Sequence, residues 1–392
     1  MPQIAGFRGL LWDASKVELA EVAAAAITDP RGHVERGELV RDPSRAVYRY
    51  HQAFTAGSRM LVRKSWFAAV ALTPWREGLI RPHEATDPTA RAKAVEAIAA
   101  AGIHTDAVLL GYRDSANEVD RLFKKPEAEK PLVDVTTLDG TNHKLWRVSS
   151  AEVIGKLRPL FAPKKLHVLD GHARYEGMLA SRDRLDAKAS LLSYSSANYG
   201  LACLVNLDEP ALAFGARHRI VRGPVKRDDV LAAAKPYFII DKLAGAAQDL
   251  ATQFTALADT LAHQPAFVVV FAGEADAYKL TLSPDVSAVA EGVKIHRALQ
   301  KYDPVVLDGL FLAKAVPGAT SNGGGVSIAT ALDPTAVIAI SDGMGIICKP
   351  LTLDQITHVD ELGELLPFGS TAIHPPVAHL LGYVVDPDED VV

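Results

Sequence analysis

The sequence predicts an α/β (α+β) protein in which mixed sheets are flanked by helices and the chain forms two domains. With 392 residues, 48% of them hydrophobic, the chain can bury a sizeable core, and domains usually contain about 100 to 200 residues. Apolar runs of strand length, such as 266–272, alternate with segments whose apolar residues recur at helical spacing. Turn-forming pairs separate these segments.

Two helix starts can be assigned from their capping residues. Asp87 followed by Pro88 is typical of an N-cap with proline at the first helical position, and it predicts a helix over 89–101. Ser149, with a glutamate three residues later, predicts a capping box in front of a helix over 153–160.

Strand patterns appear in both halves of the chain. Apolar and polar residues alternate over 132–148 on both sides of Asp139-Gly140, which predicts a β-hairpin with a tight turn because such turns need positive φ. Further strands are predicted over 267–271 and 278–282. The glycines 323–325 predict a flexible loop.

A proline-bounded stretch over 222–226 separates a strand-rich first half from a more helical second half. We therefore expect a strand-rich domain over 1–222 and an α+β domain over 223–392.

Composition excludes several classes of function. Lys+Arg 42 against Asp+Glu 47 gives a formal charge of -5 without a block of like charge, which argues against nucleic acid as a partner. No apolar run approaches the roughly 18 residues that a membrane span needs. The first residues lack the pattern of a secretory signal, so we expect a cytoplasmic protein. Cys203 and Cys348 lie in apolar runs and are expected to be buried thiols.

The strongest local signal for a ligand is a strand–turn–helix segment. An apolar strand over 166–169 ends in Asp170 and Gly171, and 173–180 has helical composition. Such a turn aims the free N–H groups of the first helical turn at one point, where the helix dipole also favours an anion. The segment therefore predicts a site for a small, phosphorylated molecule.

The side chains of this segment suit that chemistry. His172 can donate a hydrogen bond or a proton, and Arg174 can bind phosphate or carboxylate with two parallel hydrogen bonds. The structural alternative is that Asp170 only caps the helix while Arg174 points into solvent.

Two weaker clusters accompany it. His83 and Glu84, just before the helix over 89–101, could act as acid and base, although a solvated loop in front of a helix is the favoured explanation. His218 and Arg219 form a third pair that carries little information alone. Dinucleotide-binding, P-loop, serine-hydrolase and zinc-protease motifs are missing, and no metal site is expected.

With these residues in view, the chain resembles the bacterial and archaeal family called domain of unknown function 1015. The resemblance extends almost from end to end and rests on an ordered set of short motifs: Phe7 to Leu10, Gly37 to Pro43, Tyr48 to Phe54, Gly78 to Thr86, His143 to Trp146, Asp170 to Glu176, His218-Arg219, and Leu366-Pro367 with Ser370-Thr371.

The family signature Asp-Gly-His-His-Arg-Tyr is similar to the box of ParB/sulfiredoxin-type nucleotide-binding proteins, which include free serine kinases. The resemblance implies a ParB/sulfiredoxin-like element and a phosphotransferase that uses ATP or ADP with Mg²⁺. In such an enzyme the expected catalytic groups are Glu84 and His172, either of which could accept the proton of a substrate hydroxyl. The expected phosphate- or nucleotide-binding residues are Asp170, Gly171, Arg174, Tyr175, His83, His218, Arg219 and Arg8.

The chain also departs from the family pattern. Ala173 replaces the second histidine of the signature, Gly369 and Val377 replace two lysines, and some tens of residues are skipped after 25–28. Loss of an imidazole and two cations should weaken binding or transition-state stabilisation by several kcal/mol, at roughly 1.5 to 3 for each charged hydrogen bond. Two hypotheses therefore stand, a kinase-like enzyme and a catalytically impaired member that binds a ligand or regulates. A homodimer is compatible with either.

Overall fold

The protein, described from a computed structural model, contains helices and strands throughout the chain. The described residues are 3–56, 59–260, 264–316 and 326–391, so the loop predicted at 323–325 lies outside them. The strands are β1 (Ile4–Ala5), β2 (Leu10–Trp12), β3 (Leu39–Arg41), β4 (Val47–Ala56), β5 (Arg59–Ala71), β6 (Ile80–Arg81), β7 (Ile103–His104), β8 (Val108–Tyr112), β9 (Val133–Thr136), β10 (Asn142–Val148), β11 (Leu166–Asp170), β12 (Tyr199–Asn206), β13 (Ala213–Gly215), β14 (His218–Arg222), β15 (Phe238–Leu243), β16 (Ala266–Phe271), β17 (Ala277–Leu282), β18 (Ser327–Ala331), β19 (Met344–Cys348), β20 (Ala372–His374) and β21 (Leu381–Val384). The helices are α1 (Leu19–Ala24), α2 (Pro30–Glu35), α3 (Pro88–Ala101), α4 (Glu118–Glu127), α5 (Ala151–Phe161), α6 (His172–Ala189), α7 (Arg227–Ala234), α8 (Leu250–Ala258), α9 (Asp303–Val306), α10 (Ala313–Ala315), α11 (Pro334–Ile338) and α12 (Leu353–Glu361).

The chain forms two compact units. One consists of Met1–Ala213 together with Ile373–Val392, and the other of Phe214–Ala372. The sequence predicted a single boundary at residue 222, whereas the chain leaves the first unit after Ala213 and returns to it at Ile373. The return is made by β21, which pairs with β2 and β7. No local sequence pattern identifies such distant partners.

The sheets of the first unit combine parallel and antiparallel pairs. The large sheet has the order β6-β11-β8-β12-β5-β4-β10-β9, with β1 paired to β5. The pairs β6–β11 and β8–β12 are parallel, and a smaller antiparallel sheet has the order β3-β2-β21-β7. The second unit has one antiparallel sheet in the order β15-β17-β16-β19-β14-β18. The predicted class, α/β with mixed sheets and flanking helices, is confirmed.

Central strands are made by continuous apolar runs. All eight residues of β12 are buried, as expected for a strand covered on both faces. Cys203 lies in β12 and Cys348 in β19, and both are buried free thiols as the sequence predicted. Among the described residues, no helix is both long and apolar enough to cross a membrane.

The predicted helix starts and hairpin are present, with two local differences. Asp87 caps α3 by accepting from the N–H groups of Thr89 and Ala90. The hairpin β9–β10 forms, but its loop spans five residues, and only Gly140 in it has a positive φ (81°). The side chain of Asp139 accepts hydrogen bonds from Thr137 and Thr141 and so joins both ends of this loop. The cap of α5 is Ser150, one residue after the predicted serine.

Three buried histidines make the stability of the fold depend on pH. Burial lowers the pKa of His104 to about 3 and the pKa values of His143 and His218 to about 4. Unfolded histidine titrates near 6.5, so below that pH the unfolded chain binds more protons and stability falls as the pH drops. At about 1.4 kcal/mol per pKa unit, we expect the free energy of unfolding in urea to fall by several kcal/mol from pH 7 to pH 4.5.

Matched variants test this origin of the acid sensitivity. Changing His218→Gln should flatten the pH profile, whereas changing the exposed His358→Gln should leave its slope unaltered. A wild-type profile that is flat between pH 7 and pH 4.5 would contradict the prediction.

Candidate functional site

Two segments that the sequence singled out are neighbours because of one parallel strand pair. In the pairing of β6 with β11, Ile80 lies opposite Leu166 and Arg81 opposite His167. Parallel strands leave a sheet at the same edge, so the residues after β6 and after β11 meet there. This places His83 and Glu84 beside His172, the first residue of α6.

The three side chains form a closely packed buried cluster. The Nδ1 atom of His172 lies 3.8 Å from Oε1 of Glu84, and the Nε2 atom of His83 lies 4.0 Å from Oε2 of the same carboxylate. The two imidazole rings meet edge to face with centroids 4.7 Å apart. His83 is 1% exposed, and Glu84 and His172 are each 6% exposed.

Hydrogen bonds to the backbone orient both rings. Nδ1 of His83 lies 2.7 Å from the carbonyl oxygen of Val168, so this nitrogen donates. The N–H of His83 donates to Nε2 of His172 at 3.4 Å, which leaves the proton of the neutral His172 ring on Nδ1, facing Glu84. A carboxylate between two oriented imidazoles is able to accept, hold and return a proton.

The start of α6 is shaped by Gly171. Gly171 is the N-cap, with φ 94°, and no side chain caps the helix. A Cβ atom at this position would lie 2.8 Å from Nε of Arg174, so the guanidinium packs directly over the glycine. Asp170, which the structural alternative treated as a cap, instead forms an ion pair with Nη2 of Arg174. Nε of Arg174 is buried and has no hydrogen-bond partner among the described residues.

Arg174 also lines a cavity of about 440 Å³ in the first unit. The wall contributed by α3 consists mainly of alanines, and Lys93, Arg31 and Arg174 supply positive charge. Residues 27–31, where the chain skips residues relative to the family pattern, form another part of the lining. The shortened region therefore still contributes to the cavity wall.

The carboxylate of Asp106 lies at the same cavity. Its Oδ1 contacts Nδ1 of His379. Burial raises the pKa of Asp106, but the His379 hydrogen bond and the nearby charge of Arg174 together lower it more, so the pKa lies below its usual value. The cavity is therefore lined by both a carboxylate that stays ionised and a guanidinium.

The remaining predicted residues have other surroundings. The hydroxyl of Tyr175 donates to the carbonyl oxygen of Thr73 and accepts from its N–H, both at 2.9 Å, so it anchors α6. Arg8 donates to the carbonyl oxygen of Asp42.

His218 and Arg219 belong to the second unit. Nδ1 of His218 accepts from the N–H of Cys348, and Arg219 makes a two-point ion pair with Asp308. Both side chains are buried and serve contacts within that unit.

Sequence reasoning missed most of the cavity lining. His104 and Asp106 follow Gly102, which ends α3, and precede the apolar strand β8. A polar run between a helix and a buried strand is the one local signal that could have identified them. Within the described residues, no three histidine, cysteine or carboxylate groups are arranged to hold a metal ion.

A family comparison confirms the resemblance to a known family. The model of the family described as protein of unknown function (DUF1015) matches residues 13–308, which is more than half of the chain. The chain belongs to this family. Its Asp170-Gly171-His172 box and its His83-Glu84 pair both lie inside the matched region. No curated protein sequence is significantly similar to this DUF1015 member.

Three solved structures show a distant likeness to this DUF1015 member. SbnI from Staphylococcus aureus, with a C-terminal truncation, is 14% identical with a TM-score of 0.40, covering 83% of this chain and 91% of that chain. A free serine kinase in complex with AMP is 14% identical with a TM-score of 0.37, covering 79% and 86%. A conserved hypothetical protein from Pyrococcus furiosus is 12% identical with a TM-score of 0.37, covering 80% and 92%. These similarities are too distant to assign a ligand.

Proposed function

We propose that the first unit binds a nucleotide or another phosphorylated metabolite in the Arg174-lined cavity, and that the chain is a phosphotransferase-like protein. The observation that carries the proposal is the β6–β11 pairing, which places the Glu84–His172 pair at the start of α6. Arg174, two residues farther along that helix, lines the cavity.

Charge and volume support an anionic ligand of nucleotide size. Small-molecule sites usually measure about 300 to 1,000 Å³, and this cavity measures about 440 Å³. Arg174 presents a guanidinium whose Asp170 partner occupies Nη2, leaving further N–H groups to donate. The exposed ammonium of Lys93 adds a second cation, and phosphate oxygens bind such groups strongly.

The buried pair beside the helix supplies the acid–base chemistry. In this proposal Glu84, oriented by His172, accepts the proton of a substrate hydroxyl while Arg174 stabilises the charge on the transferred phosphoryl group. Because the Asp170-Gly171-His172 box is similar to that of free serine kinases, we propose free serine as the phosphoryl acceptor and ATP or ADP as the donor. His83 holds the neighbouring imidazole in place through its N–H.

Magnesium does not have a prepared protein site here. Within the described residues no set of three ligating side chains is present, and Asp170 and Asp106 already contact Arg174 and His379 respectively. Mg²⁺ commonly enters such sites on nucleotide phosphates with few protein ligands.

Nucleotide turnover with a matched pair of arginine variants tests the proposal. Clean protein is incubated with ATP or ADP, Mg²⁺ and serine or a pool of hydroxylated metabolites. We expect turnover that Arg174→Ala lowers by about 10- to 100-fold or more, since a charged hydrogen bond is worth about 1.5–3 kcal/mol.

The control variant is Arg184→Ala, on the same helix in an exposed ion pair with Glu96, and it should retain wild-type activity. An equal loss of activity in both variants would contradict the proposal. So would a wild-type protein that neither binds nor turns over nucleotide.

A second candidate function is ligand binding without catalysis. It is favoured by the nearly complete burial of the His83, Glu84 and His172 side chains and by Ala173 in place of the signature histidine. Thermal-shift measurements distinguish the two: stabilisation by a nucleotide in the absence of turnover supports a regulatory binding protein, and turnover rejects it.

A further inference from the structure

His104 is a buried histidine that lines the Arg174-lined cavity and lies outside the acid–base cluster. It ends β7, opposite Tyr383 of β21, and its ring stacks on the Tyr383 ring at 5.5 Å with an interplanar angle of 18°. The residue is 3% exposed. Strand pairing and stacking therefore hold the imidazole in one orientation.

One hydrogen bond fixes where the ring carries its proton. The N–H of Leu201 donates to Nδ1 of His104 at 3.4 Å, so the neutral ring is protonated on Nε2. Burial lowers the pKa of His104 to about 3, so the ring stays neutral at physiological pH. No hydrogen bond to Nε2 is present among the residues that the structure describes, and His104 is one of the residues that line the cavity.

The rest of the lining is partly apolar and partly charged, and the charged part includes the carboxylates of Asp29 and Asp106. Ala94 and Ala97 of α3 and Met178 of α6 form an apolar wall, and the two helices approach closely because Gly177 has no side chain. Lys93 and Arg174 supply cations. The cavity thus combines an apolar wall, one buried neutral donor and separate charged groups of both signs.

This combination matches the parts of a nucleotide better than those of a small hydroxy acid or inorganic phosphate. An aromatic base has apolar faces for an alanine wall and ring nitrogens or carbonyl oxygens that accept from a neutral N–H. Phosphates need cations, which this neutral imidazole does not provide.

We propose that His104 is a specificity-determining residue that donates its Nε2–H to a nucleobase acceptor, with the base against the alanine wall and the phosphates at Arg174. The inference rests on the proposed function and names its ligand as a nucleoside phosphate. A ligand with no acceptor at this place leaves a buried donor unsatisfied, which lowers its affinity by about 10- to 100-fold.

The test compares nucleoside diphosphates with pyrophosphate by calorimetry, for the wild type and three variants. His104→Phe keeps a ring against Tyr383 but removes the donor, whereas His104→Gln retains a side-chain N–H. We expect one of ADP, GDP, CDP or UDP to bind at least about tenfold more weakly to His104→Phe, with pyrophosphate affinity unchanged. His104→Gln should recover part of the loss, and Arg174→Ala should weaken both ligand classes.

The outcomes separate the inference from the function on which it rests. If a diphosphate binds and His104→Phe leaves its affinity unchanged, the inference is overturned while the proposed function stands. If His104→Phe weakens the binding of pyrophosphate as much as that of the diphosphate, the substitution has damaged the cavity. The inference is then overturned unless His104→Gln, which keeps a donor, restores the affinity for the nucleotide alone. Failure of the wild type to bind either class overturns both.

Discussion

Replacing Glu84 by glutamine should slow phosphoryl transfer by about 10²- to 10⁴-fold, the range that a positioned general base contributes. The amide has nearly the same shape as the carboxylate but cannot take the hydroxyl proton. Because Arg174 rather than Glu84 lines the cavity, nucleotide affinity should be retained. Steady-state kinetics and calorimetry measure the two effects separately.

The matched carboxylate control is Glu96→Gln, an exposed α3 residue paired with Arg184, which should leave the rate unchanged. A wild-type kcat in the Glu84→Gln protein would show that Glu84 takes no part in the proton transfer. The cluster would then be only a structural feature of the β6–β11 edge.

Gly177→Ala should destabilise the protein and disturb the cavity, although alanine normally favours a helix. A Cβ atom at Gly177 would lie 2.8 Å from Cβ of Ala94 and 3.2 Å from its carbonyl carbon, so α3 and α6 would have to move apart. Overpacking of this kind costs about 1–3 kcal/mol. Because Ala94 and Met178 line the cavity, nucleotide affinity should fall together with the melting temperature.

Gly155 in α5 provides the matched control for this substitution. A Cβ there meets nothing within 4 Å, so Gly155→Ala should stabilise the protein by about 0.5–1 kcal/mol through helix propensity. Urea denaturation of both variants checks the pair. Equal effects of the two substitutions would show that the close approach of α3 and α6 is not a constraint.

Local chemistry made several parts of the fold predictable. Asp87-Pro88 identified the start of α3, and the apolar run before Gly171 identified β11 and the beginning of α6. The ion pair between Asp170 and Arg174 differs from both interpretations of the sequence, which leave the guanidinium to a ligand or to solvent.

Long-range pairing made the rest unpredictable. β6 has only two residues, too few for any strand pattern, yet its pairing with β11 assembles the His83, Glu84 and His172 cluster. His104 owes its position to pairing with a strand almost three hundred residues later in the chain. The local spacing of apolar residues predicts neither the β6–β11 pair nor the β7–β21 pair.

The central claim is that Arg174 and its cavity hold the phosphates of a nucleotide, and a crystal structure with a bound nucleoside diphosphate tests it most directly. We predict phosphate oxygens within about 3 Å of the Arg174 guanidinium, with the base inside the cavity. An ordered ligand elsewhere on the protein, with the cavity empty and Arg174 bound only to Asp170, would contradict it.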